Sequence, residues 1–150
     1  MDGMTEQLGR GRTGSDRAFR WAAVLFAAAV ALHGADHLRR GMGATPPAVM
    51  AAGMVQTVLV ALTVILVFIG SRWAPHAAVV VGLVSAAGFT AAHLLPAWGP
   101  LSDSFIDAPP GARVTWFSWV TALVEIIADL VFAVVAIAVM QERHARRSSR

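Results

Sequence analysis

Ala22-Ala23-Val24-Leu25-Phe26-Ala27-Ala28-Ala29-Val30-Ala31-Leu32 runs directly into His33-Gly34-Ala35-Asp36-His37. With its flanks, the first stretch is long and apolar enough to enter a bilayer. The second is polar. On a helix each residue advances the azimuth by about 100°, so His33, Asp36 and His37 fall within one arc of roughly that width. Ionisable side chains inside a membrane are costly and call for a partner or a function. An apolar run ending in three such groups therefore predicts a membrane span that forms one wall of a polar site.

The remaining composition agrees with lipid as the solvent. Of 150 residues, 57% are hydrophobic and only 14% charged, against about 25% charged in soluble domains. There is no cysteine, which excludes disulfides, zinc-thiolate sites and thiol catalysis. The 12 basic residues are all arginine; with the abundant Ala, Val and Gly, this reads as the codon usage of a GC-rich bacterium. The arginines sit at span ends and form no patch interleaved with aromatics, so nucleic acid is not an expected partner.

Four spans are expected, at about 18–39, 48–70, 75–95 and 114–140, since roughly 20 apolar residues cross the hydrocarbon. Residues 1–16 read as a disordered tail and 142–150 as a basic tail. Gly/Pro-rich links at 39–47 and 70–75 are tight, and 96–113 is the longest loop. A competing reading of the first span is a signal peptide cleaved near Ala29-Val30-Ala31. Nine arginines lie on one side of the spans (Arg10, Arg12, Arg17, Arg20, Arg72 and four at the C-terminus), and Arg39, Arg40 and Arg113 lie on the other. That asymmetry places both termini in the cytoplasm of a bacterial membrane. The five tryptophans fall near the interfaces, as an aromatic belt requires. The expected fold is an all-α integral membrane protein, an antiparallel up-down bundle of four transmembrane helices.

Depth locates the site. At ~1.5 Å per residue from each span's midpoint, His33 lies about 6 Å, His37 about 12 Å, Gln56 about 3 Å and His93 about 10 Å toward the outside, with Glu125 near the middle, which puts the expected site in the outer half of the bundle. Ser118, Thr121, Glu125 and Asp129 form a polar stripe at helical spacing. Gly82, Ala86, Thr90 and His93 form a second stripe, and Ala52, Gly53, Gln56 and Thr63 a third. Small residues of this kind let helix backbones approach closely in lipid.

Several functions fit these residues. His33, Asp36, His37, His93 and Glu125 form a set of N and O ligands suited to Zn²⁺, Cu²⁺ or Fe²⁺, with Gln56 and Asp129 behind them. His93 facing His33 or His37 would suit haem b, with Gly34 and Gly88 making room for the macrocycle. A column of His37, His33, Glu125 and Asp129 has the layout of a proton or cation path. The same groups can instead fix helix register in an accessory subunit of a membrane complex, or in a homo-oligomer. The fragment Gly34-x-Asp36-His37 is similar to part of the histidine/aspartate signature of nickel and cobalt permeases, which implies cation transport; the likeness covers these positions alone. No nucleophile elbow, phosphate loop, HExxH or dinucleotide fingerprint occurs. Asp103, Ser104 and Asp107 lie in the long loop, where they can cover the histidines.

Overall fold

The computed structural model describes residues 2–41 and 43–149, with side chains from residue 14 onward. The chain is all-helical, with no strand among the described residues: α1 spans Asp2–Arg40, α2 Pro47–Phe68, α3 Ala74–Phe89 and α4 Trp116–Ser148. A π-helical turn, Thr90–Leu94, extends α3, and a short 3-10 turn, Pro110–Ala112, precedes α4. Four segments are long and apolar enough to cross a membrane: Gly14–Arg40, Pro47–Phe68, Ala74–Leu94 and Trp116–Ser148. Most of the expected tail, residues 1–16, lies outside the described side chains.

Local chemistry sets these boundaries. Pro47 and Pro75 stand in the first turns of α2 and α3, where a missing N–H costs nothing. Gly41 and Gly70 follow α1 and α2 with φ of 96° and 70°, the left-handed conformation that ends helices. Helix α4 begins two residues later than expected because Thr115 is extended and caps it: its backbone N–H donates to Ser118 Oγ at 3.2 Å. The helix then continues through the basic segment to Ser148. At the other end of α3, Thr90 donates its hydroxyl to Ala86 O at 2.7 Å, a back-bond that bends helices. Leu95, held extended before Pro96, stops the chain there.

Helix α4 packs most extensively, against α1 and α3, while α2 touches α1 and α3 more sparingly. The burial pattern departs from that of a soluble protein: beside a core of Phe19, Phe26, Phe132 and several valines, small and polar residues lie inside and many large aliphatic ones outside. Ala22, Ala23, Ala78, Ala122, Ala133 and Ala136 are buried, as are Ser118, Thr121, Glu125 and Asp129. Large side chains such as Leu25, Val58, Leu62, Ile65, Val84 and Ile127 are exposed. Water would penalise so much exposed aliphatic surface, whereas lipid would not. The four apolar helices thus point to a multi-pass membrane protein.

Close approach is greatest between α3 and α4. A Cβ built on Gly82 would lie 2.7 Å from the Asp129 carbonyl oxygen and 3.2 Å from Ala133 Cβ, so only glycine fits. Of the three stripes, the one on α4 is wholly buried; on α3, Gly82, Ala86 and His93 are buried; on α2, Ala52 is exposed and Gly53 and Gln56 are half-buried.

Candidate metal centre

Three imidazoles converge at one end of the helices. His33 and His37 come from consecutive turns of α1, and His93 from the π-turn after α3. One ring nitrogen from each lies within 4.8 Å of the others. The ring centroids are 4.7 Å (His33–His37), 4.9 Å (His33–His93) and 5.8 Å (His37–His93) apart. The π-turn gives His93 its place, and π-turns recur at functional sites. Phe89 and Phe105 pack against His93 at 5.9 and 4.6 Å, walling off that side with aromatic rings.

Two of the three histidines, His93 and His37, are held by a hydrogen bond through their other nitrogen. His93 Nδ1–H donates to the Asp103 carbonyl at 3.1 Å. His37 Nδ1 pairs with Thr45 Oγ1 at 2.9 Å, and Thr45 in turn reaches Asp103 Oδ2 at 3.5 Å. His33 Nδ1 faces Glu125 Oε2 at 3.8 Å. The outcome is that His33 Nε2 and His37 Nε2 meet at 3.0 Å. Two such lone pairs require a proton or a cation between them. His93 and His37 are oriented as metal-ligating histidines are, the outer nitrogen bonded to a carbonyl or a hydroxyl and the inner one left for an ion, whereas His33 Nδ1 has Glu125 near it without a hydrogen bond.

Asp103 holds the outer partners together. Its carboxylate takes a two-pronged ion pair from Arg40, at 2.7 and 2.8 Å, and Arg40 Nε also donates to Ala112 O at 2.8 Å. Arg40 is only 1% exposed, so this pair is desolvated and geometrically strict. Backbone bonds close the loop over the histidines: Asp103 N–H donates to Ala92 O and Phe105 N–H to His93 O, each at 2.9 Å. Thus the long loop does cover the cluster through Asp103, Ser104 and Phe105, all buried, whereas Asp107 is exposed.

The other expected site residues are placed differently. Asp36 shares the arc of His33 and His37, but Arg39 claims its Oδ1 at 2.8 Å, and Asp36 stays outside the three-histidine group. Arg39 also binds Ser118 Oγ and Arg113 O, which ties that corner to the start of α4. Glu125 is fully buried beside His33, yet outside the group. Both its oxygens, and both of Asp129, lack a hydrogen-bond partner among the described residues. Gln56 sits beside Glu125, with its own Nε2 unbonded. The arginines nearest this end are engaged elsewhere, Arg40 by Asp103 and Arg39 by Asp36. Below Asp129 the polar column stops, because Phe26 and Phe132 stack at 4.9 Å and Phe19 and Phe132 at 5.6 Å. Gly34 and Gly88, the glycines expected to admit a macrocycle, are exposed.

Sequence reasoning placed Asp103 over the histidines but did not assign Thr45 or Arg40 to the site, nor pair either with Asp103. The only available signal was the Asp103 acid in a loop opposite the Arg39-Arg40 pair. The described geometry forms a buried three-histidine group that can hold a metal ion. No family model, no curated protein and no solved structure matches this chain.

Proposed function

We propose that this is a four-span membrane protein whose buried histidine triad binds one divalent transition-metal ion. The observation that carries the reading is the contact of His33 Nε2 with His37 Nε2 at 3.0 Å, with His93 alongside. A tetrahedral ion with bonds of about 2.0–2.1 Å to imidazole holds its nitrogens about 3.3 Å apart, so small shifts of the rings complete the set. Three imidazoles with one open position suit Zn²⁺ first, then Cu²⁺ or Fe²⁺. Glu125, unpartnered and 3.8 Å from His33 Nδ1, would balance the charge of an occupied site and, drawn closer, accept a hydrogen bond from the Nδ1–H.

The antiparallel arrangement is supported by the short links and by α4 packing against α1 and α3. The arginine asymmetry supports cytoplasmic termini. A bare ion is favoured over haem b because the three rings touch one another, leaving no slot for a macrocycle between any two. A proton path across the membrane is disfavoured by the phenylalanine layer beneath Asp129. Purification in detergent, with elemental analysis and an absorption spectrum, tests the reading. Stoichiometric metal without a Soret band is expected. A Soret band, or a metal-free protein that takes up no added Zn²⁺, Cu²⁺ or Fe²⁺, would overturn it.

A further inference from the structure

We propose that a cavity at the opposite end of the helices binds the phosphate headgroup of an anionic phospholipid. The cavity measures about 490 Å³, within the range of about 300–1,000 Å³ typical of small-molecule sites. All four helices and the turn between α2 and α3 contribute to it. Arg20, Arg72, Arg143, Arg146 and Arg147 line it against two acids, Asp16 and Glu142, an excess of three positive charges among the described residues.

The two acids are already engaged, Asp16 at 3.9 Å from Arg143 and Glu142 at 3.7 Å from Arg146. Arg72 lies over the Trp73 ring at 5.2 Å, which holds its guanidinium beside the cavity. Arg20 and Arg147 form no ion pair among the described residues. Guanidinium groups bind phosphate oxygens in pairs and give up hydration water readily. Basic pockets between membrane helices hold anionic headgroups for this reason.

The floor decides between a lipid and a free ion. Phe19, Val67, Ala74 and Val139 line the cavity and are buried. An arginine rim above an apolar floor matches an amphiphile, phosphate outward and glycerol ester inward; inorganic phosphate would use the rim alone. The site shares no residue with the histidine triad, and it rests only on the membrane placement of the helices.

The test uses the full-length purified protein in mixed micelles of phosphatidylglycerol and phosphatidylcholine, with retained lipid read by native mass spectrometry. Preferential retention of phosphatidylglycerol, by about tenfold, is expected. Arg20→Gln and Arg147→Gln should each weaken that preference, and the triple variant with Arg72→Gln should abolish it. Arg17→Gln removes the same charge at the same end without lining the cavity, and should retain the preference. An unchanged size-exclusion profile and thermal unfolding midpoint in detergent serve as the folding control. Equal retention of both lipids, or an equal effect of Arg17→Gln, would overturn the proposal. So would displacement of the lipid by millimolar inorganic phosphate, which would assign the site to the free ion.

Discussion

At one end of the helices Arg40 is nearly inaccessible, clamps Asp103 with both guanidinium prongs and draws a loop down over three histidines. At the other end Arg20, Arg72 and Arg147 stand around an open cavity. The residue type is the same, but its use differs. Where a guanidinium is desolvated, every prong is matched and the result is a rigid scaffold. Where guanidinium groups remain at the surface, charge is left over for something outside the chain. Between the two ends, the phenylalanine layer keeps the polar interior of one from meeting the other.

The largest effect expected from breaking this contrast lies at the clamp. Asp103→Ala leaves Arg40 buried without a counter-charge, a class of change that costs about 3–5 kcal/mol, and it also frees the loop that orients His93. Thermal unfolding in detergent should show a sharply lowered midpoint, whereas Arg147→Ala at the open end should shift it little, because surface charges contribute about 0–1 kcal/mol.

Next in size are the ligands. His33→Ala, His37→Ala or His93→Ala should each lower metal affinity by more than the roughly 10–100-fold typical of losing an outer partner, as read by competitive chelator titration. Acid should weaken binding in the unsubstituted protein, since protons and the ion compete for the same imidazole nitrogens. Affinity that is indifferent to pH would argue against imidazole ligation.

Smaller effects should follow at the outer partners and the helix contact. Thr45→Val keeps the volume but removes the hydroxyl between His37 and Asp103, for about 10-fold in metal affinity and about 1 kcal/mol in stability. Gly82→Ala drives a methyl into the Asp129 carbonyl and should cost about 1–3 kcal/mol through overpacking, separating α3 from α4 without touching the triad. Unchanged stability in the Gly82 variant would mean that the two helices pack less closely than described.

Apolar run length made the spans readable, helical spacing the α4 stripe and the His33–His37 pair, and depth along each span the addition of His93. The α4 stripe Ser118, Thr121, Glu125 and Asp129 is buried throughout, as its helical spacing required. What escaped sequence reasoning depended on pairings between segments. Arg40 and Asp103 are 63 residues apart, and Thr45 lies 58 residues from the same acid; nothing local announces either contact. Reading Arg39 and Arg40 as orientation signals also concealed their structural work. Asp36 looked like a ligand because it shares an arc with two histidines, but an arc about 100° wide is broad enough for one edge to face Arg39 and the start of α4 instead. The exposure of Ala52 has a similar origin: small residues mark a possible contact face, and only the partner helix decides whether that face is used.

The central claim is that three imidazoles, and no other protein side chains, surround one ion. X-ray absorption at the metal edge of the loaded, purified protein tests it directly. The expected spectrum has three nitrogen scatterers at about 2.0–2.1 Å, with the outer-shell pattern of imidazole rings, and this signal is lost in His93→Ala. A shell of oxygen alone, a sulfur scatterer from methionine, or an unaltered spectrum in His93→Ala would contradict the account.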